Sequence, residues 1–168
     1  MLEVIILAAG QGRRMQSSLP KVLHTLAGQP LVVHVLERAR KLGAQQIHVV
    51  VGHGAEAVEA TVSAGDVQCH LQAEQWGTGH AVQQAIDACQ ADSTVLVLFG
   101  DVPLIAEQTL REVVSAAEAG VAMLSANLEN PSGYGRVERD PQGEFIAVVE
   151  EQDATEAQRQ LTEMNTGV

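Results

Sequence analysis

With 168 residues, 46% of them hydrophobic and 18% charged, the chain can bury the core of one domain and is too apolar to be disordered. Aromatics are only 2%, so that core rests on valine, leucine, isoleucine and alanine. The net charge of −11 is uneven: residues 1–50 hold six Lys/Arg against two Asp/Glu, and the remainder four against nineteen. An acidic body of this kind repels nucleic acid and anionic membrane, whereas the basic N-terminal segment suits a small anion.

No apolar run reaches the roughly 18 residues that a membrane span needs. Met1-Leu2-Glu3 lacks the basic region and cleavage site of a secretory leader. Cys69 and Cys89 have no metal-ligand spacing and read as reduced thiols of a cytoplasmic protein. There is no internal repeat, low-complexity tract or interdomain linker, so residues 1–168 are expected to form one domain.

In chain order, the apolar run Val4–Leu7 predicts a buried strand that empties into Gly10-Gln11-Gly12, with Arg13, Arg14 and Lys21 close behind. Small residues let main-chain N–H groups approach an anion, and the cations supply the charge that a polyphosphate needs. Neither familiar phosphate loop fits. The P-loop needs a Gly-Lys pair, absent here, and the dinucleotide fingerprint meets Met15 where a third small residue belongs. Taken alone, a glycine loop after a strand serves equally well just to turn the chain.

Val32, Val35, Leu36, Ala39 and Leu42 recur at the spacing of one helix face, and Gly43 is placed to stop it. Arg38, Arg40 and Lys41 complement the C-terminal end of that helix, which leaves Arg13, Arg14 and Lys21 unexplained by structure. Further strands are predicted at Ile47–Val51, Val67–Leu71, Val95–Phe99 and Val121–Ala126. Ala81, Val82, Ala85, Ile86 and Cys89 mark a second helix with Thr78 as N-cap, and a third runs from about Glu107 to Ala119.

Such alternation implies an α/β fold, a mostly parallel sheet with helices on both faces and ligands at the carboxyl ends of the strands. The loops after Leu7, Leu71 and Phe99 should therefore meet at one edge. After Asn130 the texture becomes turn-rich. Val137–Arg139 and Phe145–Val149 read as a hairpin around Asp140-Pro141-Gln142-Gly143, residues 155–161 as a short helix, and Asn165–Val168 as the start of a strand.

Asp101, just past the strand that ends at Phe99, is a carboxylate on the ligand edge. It can hold a hard divalent cation, or equally fix a turn or cap the helix near Ala106. In the Gln72–Ala81 segment, Gly77 and Gly79 permit close approach and the Gln72 amide can donate and accept toward the edge of a pyrimidine. Trp76 reads as packing or loop anchoring. The six histidines, His24, His34, His48, His53, His70 and His80, sit on separate elements and read as structural or solvent-facing rather than as ligands. No Gly-x-Ser-x-Gly elbow supports a serine hydrolase.

The extended pattern of a strand, LAAGQGRRM and then LPK resembles the signature of the sugar-1-phosphate nucleotidyltransferases. LAAGQGRRM, LPKVLHTLAGQPL, LQAEQWGTGHA, FGDVPLI, NPSGYGRV, VVEEQDAT and EMNTGV together resemble one branch of that family. It is the bacterial N-acetylglucosamine-1-phosphate uridyltransferase domain, which the family joins to a glucosamine-1-phosphate acetyltransferase. The resemblance runs in order from Leu7 to Val168 and implies a Rossmann-like nucleotidyltransferase fold with a β-hairpin insertion near the C-terminal end.

It also implies uridylyl transfer from UTP to N-acetylglucosamine 1-phosphate with Mg²⁺, in the supply of cell-wall and lipopolysaccharide precursors. Leu7, Ala8, Ala9 and Gly10 would line the nucleotide, Arg14 and Lys21 would grip the triphosphate, and Gln72, Gly77 and Thr78 would read uracil. Asp101 would bind Mg²⁺ with Phe99 and Gly100 beside it. Gly135, Glu150 and Asn165 would hold the N-acetylglucosamine moiety, although on charge alone Glu150 reads as a solvated hairpin carboxylate. In the family the domain continues past the NTG segment to an asparagine that is a second metal ligand. A left-handed β-helix follows it, carrying acetylation and trimerisation. Neither lies in these 168 residues, so the resemblance implies an incomplete domain with half a metal site. The alternatives are transfer with another sugar phosphate or base, such as thymidylyl or guanylyl transfer, and a non-catalytic nucleotide-sugar-binding remnant.

Overall fold

A computed structural model describes every residue except Gln11, Arg13 and Arg14, and the side chain of Ala119 is likewise outside the description. The chain divides into two compact units, Met1–Gly120 and Val121–Val168.

In the first unit, Val4, Ile5 and Ile6 of β1 (Leu2–Ala8) are fully buried, as a continuous apolar run must be when both faces of its strand are covered. β1 lies between β4 (Gln46–Val51) and β6 (Thr94–Phe99), and β5 (Val67–Leu71) lies outside β4. All four are parallel. Leu7 is level with both Val50 and Phe99, so the loops after these strands open at one edge. A small hairpin, β2 (Thr25–Leu26) with β3 (Gln29–Pro30), leads into α1 (Leu31–Lys41).

The apolar stripe of α1 buries Val32, Val35, Leu36 and Ala39. The helix stops as predicted: Gly43 N–H donates to the Arg40 carbonyl (3.0 Å) and Ala44 N–H to the Ala39 carbonyl (3.2 Å), a Schellman closure. α2 (Ala55–Val62) is absent from the reading of the sequence, because its buried stripe is only Val58 and Val62, too short to display a period. α3 (Thr78–Ile86) lays Ala81 and Ala85 on Ile5, Leu7, Ala9 and Val50. Thr78 does not cap it. Gly77 occupies the N-cap position and, having no side chain, caps nothing; Thr78 is the first helical residue. α4 (Glu107–Ala116) runs on through a 3₁₀ turn to Ala119.

The second unit is an antiparallel sheet in the order β7 (Ser125–Asn127), β10 (Glu163–Asn165), β8 (Arg136–Arg139), β9 (Phe145–Val149). The predicted hairpin is β8 and β9, and it forms half of this sheet. The short helix is α5 (Glu156–Arg159), closed by a Thr155–Gln158 capping box.

Two further expectations are corrected. The strand predicted over Val121–Ala126 is confined to Ser125–Asn127, and Val121 is 99% exposed. Its apolar run imitates the buried parallel strands without having their two covering layers. The strand expected to start at Asn165 instead ends there. Leu124 N–H then donates to the Val168 carbonyl (2.7 Å) and Thr166 N–H to the Leu124 carbonyl (3.2 Å).

Candidate active site

At the carboxyl edge of the parallel sheet, the Ala9 carbonyl accepts from His53 N–H (3.2 Å) and from Gln75 Nε2 (2.8 Å). One main-chain oxygen therefore ties together the segments that follow β1, β4 and β5. Gly100 N–H donates to the Leu7 carbonyl (2.9 Å) and draws in the segment after β6. The predicted meeting of loops is thus made by hydrogen bonds. Leu7, Ala8 and Ala9 are buried, while Gly10 is exposed and has open space where a Cβ would stand.

Pro20 introduces a 3₁₀ turn, Lys21–Leu23, whose Val22 and Leu23 are buried and anchor it. The stem of Lys21 lies against Gly12, where φ is +59° and an added Cβ would come within 2.7 Å of the Lys21 Cβ. Only glycine suits both constraints. From that anchored turn the Lys21 ammonium forms an ion pair with the Asp101 carboxylate. Asp101 is carried on a turn closed by Val102 N–H to the Phe99 carbonyl (3.2 Å), with Gly100 buried and Phe99 half-buried. The two side chains remain 39% and 21% exposed, so a ligand can reach both.

Gln72 is buried, with its N–H on the Val51 carbonyl (2.8 Å). Its Nε2 donates to the Gly77 carbonyl (3.1 Å) and lies 3.1 Å from His80 Nδ1, which leaves Oε1 as the atom of the amide able to meet a ligand. Gly77 and Thr78 are exposed. Trp76 is corrected from packing or loop anchor: it is 75% exposed, its ring tilted near His80 with centroids 5.1 Å apart. Arg14 lies outside the described residues.

In the second unit three predicted residues come together. Asn165 N–H donates to the Gly135 carbonyl (2.9 Å). A Cβ on Gly135 would lie 2.8 Å from Val148 Cγ1 and 3.4 Å from Glu150 Oε1, so no larger residue fits without displacing β9. Glu150 is exposed and Asn165 half-buried. Arg136, within NPSGYGRV, has a role that its sequence context does not predict. Its buried guanidinium donates to the Leu161 carbonyl (3.1 Å) and the Tyr134 carbonyl, and pairs with Glu151 at 2.8 Å. Hydrogen bonds from Gly133 N–H and Arg136 hold the Glu151 carboxyl below its ordinary range. Gln75 was likewise missed. An arginine and a glutamine inside glycine-rich turns are the only signal for either, because their partners are distant in sequence.

Asp101 presents one carboxylate, partly exposed, beside an ammonium and an open glycine loop. That set fits Mg²⁺, which takes one or two carboxylates and completes its shell with phosphate oxygens and water.

A parallel sheet whose carboxyl edge gathers a glycine loop, a lysine and an aspartate defines a nucleotide-binding α/β domain. Residues 4–161 match the family described as the MobA-like NTP transferase domain, and the chain belongs to it. Among its relatives, the "Bifunctional protein GlmU" of Cellvibrio japonicus (strain Ueda107) is 50% identical over 169 residues. The protein of the same name from Chromohalobacter salexigens is 54% identical over 168 residues. These matches cover 100% and 99% of this chain and 37% of each relative, so the chain spans little more than a third of their length. A crystal structure described as a putative glucose-1-phosphate thymidylyltransferase from Bacillus anthracis, in complex with a sucrose, superposes with a TM-score of 0.82. At 17% identity, over 99% of this chain and 70% of that one, it is a likeness of fold. Among the described residues no helix is long and apolar enough to cross a membrane.

Proposed function

We propose that this chain carries the uridylyltransfer site of a cytoplasmic enzyme that joins UTP to N-acetylglucosamine 1-phosphate, releasing pyrophosphate and UDP-N-acetylglucosamine. The observation that carries the reading is the Lys21–Asp101 pair beside the Gly10 loop, a lysine and a carboxylate on the edge where a triphosphate and its cation would lie. The identity of 50–54% to proteins named GlmU supports the choice among nucleotidyltransferases.

In this reading Leu7, Ala8, Ala9 and Gly10 line the nucleotide, and Gln72 Oε1 accepts from a ring N–H of uracil beside Gly77 and Thr78. Arg14 and Lys21 oppose the triphosphate charge. Gly135, Glu150 and Asn165 hold the N-acetylglucosamine moiety. Asp101, with Phe99 and Gly100 beside it, would hold Mg²⁺, which when bound neutralises phosphate charge. A phosphate oxygen of the acceptor attacks the α-phosphorus of UTP in line, its new P–O bond replacing the bond to pyrophosphate. That oxygen is already ionised at neutral pH, so the chain supplies no strong base. Its task is to offset the repulsion between two anions and to meet the charge that grows on pyrophosphate.

The test is pyrophosphate release with Mg²⁺ over a panel of triphosphates and sugar 1-phosphates. UTP with N-acetylglucosamine 1-phosphate should give the highest kcat/KM, and a higher value for another pair would refute the assigned specificity. If calorimetry shows UDP-N-acetylglucosamine binding while no pair releases pyrophosphate, the chain binds nucleotide sugar without catalysis.

A further inference from the structure

Glu3, His48 and Cys89 come from three separate elements and meet beneath the end of α3. Glu3 is the second residue of β1, His48 lies on β4 on the same face of the sheet, and Cys89 follows α3. A carboxylate oxygen, a ring nitrogen and the sulfur all lie within 4.8 Å of one another. Glu3 and His48 are only 2% and 1% exposed, while Cys89 is half-buried and leaves a way in. The cluster sits four residues before Leu7 on β1, about 13 Å at the rise of a strand, at the opposite edge from the glycine loop.

We infer that Glu3, His48 and Cys89 form a binding site for a thiophilic divalent cation of the Zn²⁺ class. A mixed oxygen, nitrogen and sulfur set selects such an ion over Mg²⁺ or Ca²⁺, which take oxygen ligands. Zinc bonds of about 2.0–2.3 Å put tetrahedral ligand atoms roughly 3.3–3.8 Å apart. The Glu3 Oε2–His48 Nε2 separation is already 3.0 Å, so closure asks about 1 Å of the Cys89 side, a turn rather than a strand. Charge balance favours the ion as well: one dication against the Glu3 carboxylate and a Cys89 thiolate leaves a neutral buried site.

The surroundings are arranged as those of a ligand set. Glu3 Oε1 is oriented by Gln90 N–H at 2.9 Å, and His48 Nδ1 lies 3.0 Å from His70 Nε2. A histidine bound to metal through Nε2 carries its proton on Nδ1 and donates it outward, here to His70. Starting from the tautomer in which His48 Nε2 donates to Glu3 and His70 Nε2 donates to His48, binding moves the His48 proton from Nε2 to Nδ1 and the His70 proton to its own Nδ1. One proton leaves, that of the Cys89 thiol. Three protein ligands leave a fourth position for water.

Titration of the full chain with Co²⁺, a spectroscopic stand-in for Zn²⁺, tests the inference. One Co²⁺ per chain should bind with a thiolate-to-cobalt charge-transfer band. The band should vanish in Cys89→Ser and persist in Cys69→Ser, whose site lies on the other face of β5. Glu3→Gln should weaken Co²⁺ by about 100-fold or more, beyond the 10–100-fold typical of losing an outer-shell partner. In the unmutated chain, Zn²⁺ should protect Cys89 from alkylation and leave Cys69 reactive, a readout that needs no folded variant. Absence of the band, its survival in Cys89→Ser, or alkylation of Cys89 at saturating Zn²⁺ would each overturn the assignment.

Discussion

Replacing Lys21 by alanine separates the two jobs its ammonium can do. One is structural, the ion pair with Asp101. Unit charges about 4 Å apart attract by about 4 kcal/mol at an effective dielectric of 20. With side chains 39% and 21% exposed, solvent screening and side-chain entropy reduce that to about 1 kcal/mol or less. The other job is to hold a triphosphate, and a charge-assisted hydrogen bond of that kind contributes about 1.5–3 kcal/mol. The second figure corresponds to about 10–150-fold in Kd. Lys21→Ala should therefore weaken Mg²⁺-UTP binding by that factor in calorimetry while moving urea-denaturation stability by less than about 1 kcal/mol. Lys21→Met, which keeps the stem against Gly12, should lose as much affinity and still less stability. An unchanged Kd in both variants, with stability falling by more than about 2 kcal/mol, would refute the reasoning and make Lys21 a structural residue.

Arg14→Ala should lower turnover by about 10²–10³, the scale for one preorganised electrostatic contact, in a pyrophosphate-release assay. Near-normal turnover would remove Arg14 from the mechanism. Gly135→Ala forces a Cβ to within 2.8 Å of Val148. That overpacking costs about 1–3 kcal/mol and should raise KM for the sugar phosphate more than KM for UTP in steady-state kinetics. The Glu163 carboxyl is lowered from its ordinary 4.5 to about 2, chiefly by hydrogen bonds from Arg139 and Ser125, against the opposing effect of burial. Because its folded value is depressed, its contribution is complete above about pH 4.5 and disappears as pH falls toward 2. Arg139→Met should flatten stability across that window, and an unaltered acid profile would show that the pair does not contribute.

The parallel β strands were legible because each buries both faces and so reads as an uninterrupted apolar run between turn residues, Val4–Leu7 and Val95–Phe99 being clear cases. α1 was legible from its four-residue recurrences and from Gly43. Val121–Leu124 was misread because an apolar run does not say whether neighbours will cover it. α2 escaped because two buried valines carry no period. The Thr78 cap failed because a threonine before an apolar stripe suits either the cap or the first turn.

For the candidate site, sequence alone determined the chemistry at hand: a glycine loop, Gln72 and Asp101, each just past a strand in a chain patterned for parallel β–α units, with the cations Arg14 and Lys21 farther along after the first loop. Those identities and their strand-end positions are local properties, and parallel packing sends all such ends to one edge. Tertiary structure decided the pairings: Lys21 on Asp101, Gln75 on the Ala9 carbonyl, and Gln72 turned inward on Gly77. It also decided that Glu3, His48 and Cys89, which look unrelated along the chain, share one pocket of donors. Contacts between residues 45 or 86 positions apart depend on strand order and register, which no local pattern of side chains encodes.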